Sequence, residues 1–255
     1  MSKKKNALTI AGFDPSGGAG VLSDVKTLEA HHVNGLAVCT AITAQNEHEF
    51  QSVFWVEERQ IIAQMKSLLT CYQVGWVKIG LIKNTKVLSA IINELYTNNP
   101  NIRIIWDPIL TASAGFVFHE DIKQHEVEKI YKRIYLITPN LEEMKILFPN
   151  WNKMNYKTKS SYYCAILVKG GHGSSKLAKD ILYLNEASKS FEEIRADSSK
   201  HGTGCVLSSA IAANLAIGMN LEQACYNGKK YITEFIKSNP SRLGYHNYEG
   251  IKTYC

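Results

Sequence analysis

Two glycine-framed turns, with carboxylates and lysines at the ends of apolar runs, carry most of the chemistry this chain can do. Gly12-Phe-Asp14-Pro-Ser-Gly-Gly-Ala-Gly20 joins an apolar run to a helical pattern. Small residues there let the backbone approach a ligand, and a helix start offers free N–H groups to an anion. No Lys-Ser/Thr pair follows its last glycine, so it is not a P-loop, and it is no clean dinucleotide fingerprint. A glycine-rich turn without a ligand fits it equally well.

The second turn, His201-Gly-Thr-Gly-Cys205, precedes the apolar pattern Val206-Leu-Ser-Ser-Ala-Ile-Ala-Ala. Gly202, Thr203 and Gly204 free the backbone to aim successive N–H groups into one concavity, and the helix dipole adds positive potential there. Such a place suits negative charge developing on a transferring phosphoryl group. Cys205 at a helix N-terminus is expected to have a lowered pKa, which would make it a base or nucleophile. The alternative is a small residue buried in a helix cap.

Other groups are read the same way. In Thr138-Pro-Asn140-Leu-Glu-Glu143, Asn140 can cap a helix and Glu143 stands at capping-box spacing. A carboxylate there could equally hold Mg²⁺ or its waters. Lys169, in Val168-Lys-Gly-Gly-His172, can reach a triphosphate. Asp107 follows Ile-Ile-Trp and either serves a metal or starts a turn with Pro108. His31, His32, His48 and His119 lack ligand-like spacing and are expected as surface or core residues. Geometry disfavours a hydrolase triad using Cys205 and the nearby His201.

Strands at Ala7 to Ala11, Leu36 to Thr43, Val74 to Ile79, Ile102 to Trp106, Ile134 to Ile137 and Ala165 to Val168 must position these residues. Helical patterns separate them, at 57 to 70, Val87 to Leu95, Ile122 to Ile130 and Leu141 to Leu147, and one follows Gly20. Ile181 to Leu184 and Phe191 to Ile194 suggest a hairpin, and helices follow near Cys205 to Ile217 and Leu221 to Ile236. This alternation implies a parallel sheet covered on both faces, with no evident domain boundary. In such sheets ligands collect beyond the carboxyl ends of strands. Asp14, Gln45, Lys78, Asp107, Asn140 and Lys169 all fall near such ends.

Bulk composition agrees. Hydrophobic residues are 45% and charged residues 20% of 255, ordinary for a globular protein. No apolar run suits a membrane span, and Met1-Ser-Lys-Lys-Lys leads into too short a run for an export signal, so the cytoplasm is expected. The six cysteines are scattered and expected reduced. A net charge of +6 favours anionic ligands such as nucleotides, but the lysines are too dispersed for nucleic acid.

The order of the motifs is more specific than any one of them. Ala7 to Gly20, Thr40-Ala-x-x-Ala-Gln-Asn46, Lys78-Ile-Gly80, Asp107-Pro108, Thr138-Pro-Asn-Leu-x-Glu143, Val168 to His172 and His201 to Cys205 resemble the hydroxymethylpyrimidine/phosphomethylpyrimidine kinases of thiamine synthesis, over nearly the whole chain. The resemblance implies one ribokinase-like domain over 1–255, a three-layer α/β/α sandwich with a mostly parallel central sheet. It also implies ATP- and Mg²⁺-dependent phosphorylation of a small pyrimidine and then of its monophosphate, with no nucleic acid or membrane partner.

Carried onto matching positions, Gln45 would read the aminopyrimidine, as an amide can. Ala19, Asp24, Thr43, Leu81 and Ile109 would line or flank that pocket. Cys205 would stand where sugar kinases of this fold use an aspartate base, and Gly202, Thr203 and Gly204 would form the anion hole. Asn140, Lys169 and Asp180 would serve the nucleotide, with Glu143 and Asp107 at the metal. Departures include Thr43 where valine is frequent, Leu81 where methionine is frequent, a short 150–164 segment and a divergent 244–250 tail. A homodimer is the expectation from relatives. Pyridoxal kinase, and a non-catalytic vitamin- or nucleotide-binding regulator, are the alternative readings.

Overall fold

The computed structural model describes residues 4–111, 118, 124–151, 164–170, 176–184, 187–196 and 199–247. His119, His172, most of the 150–164 segment and the end of the tail lie outside them.

Strand β1 (Asn6–Phe13) is buried at every position from Ala7 to Gly12, the mark of a central strand covered on both faces. Strands β2 (Asn34–Gln45) and β4 (Trp76–Ile79) flank it in parallel. Beyond β4, the strands β5 (Arg103–Trp106), β6 (Leu136–Ile137) and β7 (Ala165–Val168) continue the parallel run. Both ends turn antiparallel. On one side β3 (Phe50–Trp55) pairs with β2; on the other, β8 (Leu177–Leu184) and β9 (Ala187–Ile194) form a hairpin. The resulting order among the described residues is β3-β2-β1-β4-β5-β6-β7-β8-β9. The mixed edges refine the expected parallel sheet. β3 escaped the sequence pattern because it is an edge strand, largely exposed and without clean alternation.

Helices cover both faces, and alternate strand residues decide which. In β5, Ile104 and Trp106 join the core under α2 (Glu58–Leu69), α3 (Thr85–Asn98), α4 (Gln124–Tyr131) and α5 (Leu141–Leu147). Ile105 joins the opposite core, under α6 (Thr203–Ala216) and α7 (Leu221–Lys237). Helix α1 (Gly20–Ala30) packs on that second face beside α6. Every residue of α6 from Cys205 to Leu215 is buried. Its many alanines and serines explain that: small side chains let a helix be covered all round.

Among the described residues no helix is long and apolar enough to cross a membrane, and Cys39, Cys71, Cys164, Cys205 and Cys225 are all free thiols.

Candidate active site

A cavity of about 670 Å³ opens beyond the carboxyl ends of β1, β2, β5, β6 and β7, where open α/β sheets place their ligands. Both glycine-framed turns line it, together with Gln45, Asp107, Asn140, Glu143, Lys169 and Asp180. Residues spread from position 12 to 242 thus meet in one chamber.

Its centre is the turn entering α6. Gly202 has φ of 73°, and a Cβ on it would lie 1.9 Å from the Gly18 carbonyl oxygen, so only glycine fits. The helical ladder starts with Val206 N–H donating to the Gly202 carbonyl at 3.0 Å. The amides of 203 to 205 consequently have no acceptor within the helix. Gly204 keeps the approach open on the other side: a Cβ there would sit 3.2 Å from Lys169 Nζ and 3.7 Å from Asp107 Oδ2. Free amides, a lysine and the positive end of α6 therefore converge on one place.

Lys169 Nζ lies 2.6 Å from Asp107 Oδ1 and 4.0 Å from Glu143 Oε2. Thr138 and Ser208 also donate to the Asp107 carboxylate, at 3.0 and 3.2 Å. Burial alone would raise the Asp107 carboxyl, but Lys169 and Lys78 with these hydrogen bonds hold it below the ordinary range. Glu143 goes the other way, pushed up by burial and by the Asp107 charge. Glu143 is also a cap: its Oε2 accepts from Asn140 N–H at 2.7 Å, while Asn140 Oδ1 accepts from the amides of 142 and 143. The capping reading of the Asn140–Glu143 motif holds, and both residues of that box line the cavity.

Cys205 corrects its expectation. Burial drives its thiol up to about 11, and Asp24 and Asp107 add to that. Lys78 and a Gly20 N–H hydrogen bond pull it down, without offsetting the loss of water. Asp24 stands behind Cys205, close enough for its charge to act on that thiol. It is off the cavity wall, fully buried, and takes Lys78 Nζ at 2.8 Å, Ser209 Oγ at 2.7 Å and Thr9 Oγ1 at 2.5 Å. Being the short acidic side chain on the inner face of α1, it anchors that helix to β4 and α6. Lys78 is inside β4 rather than beyond it and is equally buried.

The remaining residues sort by position. Ala19, Thr43, Gln45, Leu81 and Ile109 line one part of the wall with Phe118. Gln45 Nε2 donates to Thr43 Oγ1 at 2.8 Å, and Thr43 donates to the Phe13 carbonyl at 2.8 Å, which orients the amide. Asp180 is also on the wall, but its oxygens are engaged by Gly170 N–H at 2.9 Å and Lys229 Nζ at 2.8 Å. It is therefore a brace between β8 and α7.

Sequence reasoning missed the pair joining the two turns. His201 Nε2 meets Asp14 Oδ2 at 2.8 Å, and Asp14 also accepts from Ala19 N–H at 2.9 Å and from Ser16. Both residues stand inside motifs already singled out, so their complementary types were the available signal. Lys229 and Arg242, which also line the cavity, had none.

Two acidic groups beside a lysine fit a Mg²⁺ ion held mostly by phosphate oxygens and water, which needs only one or two carboxylates. Among the described residues no cluster of three His, Cys, Asp or Glu side chains forms a closed metal cage.

Comparison with known proteins places this geometry. The chain resembles a Clostridium difficile 630 phosphomethylpyrimidine kinase crystal structure with a TM-score of 0.75, at 31% identity over 91% of this chain and 99% of that one. An ADP complex of Bacillus subtilis pyridoxal kinase matches with a TM-score of 0.79, at 26% identity over 92% of both chains. The architecture is thus that of the ribokinase-like kinases. The hydroxymethylpyrimidine/phosphomethylpyrimidine kinase of Aquifex aeolicus is 35% identical over 93% of this chain and 96% of its own length. The sequence profile of the phosphomethylpyrimidine kinases matches residues 14–250, and the chain belongs to that family of phosphotransferases.

Proposed function

We propose that the chain transfers the γ-phosphoryl group of ATP to 4-amino-5-hydroxymethyl-2-methylpyrimidine, and then phosphorylates the resulting monophosphate, in the cytoplasm as a step of thiamine biosynthesis. The observation that carries this reading is the convergence of the free 203–205 amides with Lys169 in the chamber that also holds Gln45. Gln45 has the donor and acceptor to read a ring nitrogen beside an amino group. Thr43 orients it, and Leu81 and Ile109 offer apolar walls for the ring.

The transferring phosphoryl spreads its charge over its equatorial oxygens, so catalysis is mostly positioning and charge stabilisation. The 203–205 amides and Lys169 supply donors that need no rearrangement. Asn140 and Lys169 would hold the nucleotide, while Asp180 acts indirectly by fixing Lys229 and Gly170. Asp107 and Glu143 would hold Mg²⁺, chiefly through water, and the bound ion would neutralise phosphate charge. Cys205 Sγ would take the proton of the substrate hydroxyl. With a thiol at about 11, roughly one molecule in 10⁴ carries the thiolate at pH 7. Turnover should then climb with pH if this group is the base.

Cys205→Ala should lower kcat far more than substrate affinity; unchanged turnover would remove Cys205 from that role. A pyridoxal kinase is the second reading, favoured by the likeness to the Bacillus subtilis enzyme. An assay coupled to ADP release, run over the hydroxymethylpyrimidine, its phosphate and pyridoxal, separates the two. Pyridoxal with the highest kcat/KM would overturn the pyrimidine reading. We also propose a homodimer, to be checked by light scattering of the purified chain.

A further inference from the structure

We propose that Arg242 binds a phosphoryl group in the cavity, held in place by the grip of Lys200 and His201 on residues 239 to 242. The inference rests on the kinase reading of the same chamber and adds a specificity residue to it.

The cavity is lined by several cations, and most are committed. Lys169 is on Asp107 at 2.6 Å and Lys229 on Asp180 at 2.8 Å. Arg195 donates to the carbonyls of Gly170 and Leu177, at 3.3 and 3.2 Å. Lys200 spends its ammonium on the carbonyls of Asn239 and Ser241 and on Asn239 Oδ1. Arg242 differs from them: its side chain is exposed, and it has no hydrogen bond or counter-charge among the described residues.

Its backbone, by contrast, is fixed. The Arg242 carbonyl accepts from His201 N–H at 2.8 Å, directly before the free amides. Ser241 N–H donates to Asn239 Oδ1 and Ser241 Oγ to the Leu243 carbonyl, both at 2.8 Å. Leu243 lies against Gly18, where a Cβ would come within 2.7 Å of it. An anchored root carrying an uncommitted guanidinium is suited to a ligand that brings its own negative charge. The planar fork matches phosphate oxygens two at a time. Two phosphates could supply them: those of the nucleotide, or the one already on a pyrimidine monophosphate.

Calorimetric binding of ADP, of the pyrimidine monophosphate and of the unphosphorylated alcohol to wild type, Arg242→Gln and Arg242→Lys tests this. Arg242→Gln is expected to weaken at least one phosphorylated ligand about tenfold or more, as loss of a charge-assisted contact should. Arg242→Lys should recover part of that, with alcohol affinity and Tm unchanged. Weakened ADP identifies the nucleotide as the source, and a weakened monophosphate alone identifies the substrate phosphate. Both phosphorylated ligands within twofold of wild type would overturn the proposal. So would a uniform loss that includes the alcohol and lowers Tm, because it marks a packing role. If wild type binds neither pyrimidine, the functional reading fails on its own, and the ADP comparison alone decides Arg242.

Discussion

Asp14 and His201, 187 positions apart, meet at 2.8 Å and tie the glycine-rich turn of β1 to the turn that opens α6. The contact brings Gly202 against the Gly18 carbonyl and so sets where the 203–205 amides point. His201 also bonds the Arg242 carbonyl, so one residue links three segments of the chamber.

Loosening that link should hurt turnover first. Asp14→Asn and His201→Gln are each expected to lower kcat about 10- to 100-fold, the scale of a misplacement near 1 Å. The double variant should be no worse than the poorer single, because both act through one contact. Steady-state kinetics on all three variants checks this; additive losses would show that the residues work independently.

Gly202→Ala should be more severe than its size suggests. The left-handed backbone and the 1.9 Å approach to Gly18 leave no room for a Cβ, and displacing a donor of this kind costs about 10²- to 10³-fold in kcat. Gly75→Ala is the control, since nothing lies within 4 Å of a Cβ there. Its stability should stay within about 0.5 kcal/mol of wild type by urea denaturation.

Lys78 and Asp24 form a fully buried pair at 2.8 Å. Removing one partner leaves the other charge buried without its hydrogen-bonded counter-ion, so Lys78→Met and Asp24→Asn should each cost about 3–5 kcal/mol. The double variant should cost less than the two losses added together. Urea midpoints of the three variants measure it, and full additivity would deny the coupling.

Stability should fall as pH drops from about 6.5 to about 4. Burial pushes His31 down to about 4 although its bond to the Thr27 carbonyl works the other way. Burial likewise takes His246 to about 4, with Lys26 and His31 adding to the shift. The unfolded chain therefore takes up these protons near 6.5, whereas the folded chain resists until about 4. Above that window both states are neutral and the full stability is present. Tm recorded across the window should decline for wild type and flatten for His31→Gln with His246→Gln. An unchanged slope in the double variant would assign the decline to other groups.

Much of this protein is written in local pattern. The bounds of α5 and β7 match the sequence reading, because a capping box and an unbroken apolar run are local signals. The glycine frame of 202–204 marks its own turn for the same reason. β3 was not legible, since an edge strand owes its pairing to β2 rather than to its own alternation. Asp24 and Cys205 show the deeper limit. The family resemblance suggests a place at the pocket for Asp24, and a helix N-terminus suggests an activated thiol for Cys205. Yet burial and a buried lysine make one a structural anchor, and burial raises the pKa of the other. The sequence by itself determined the order of elements and the chemistry available at each turn. Tertiary structure decided which charges lose their water and which meet a partner, because both depend on residues brought together from distant parts of the chain.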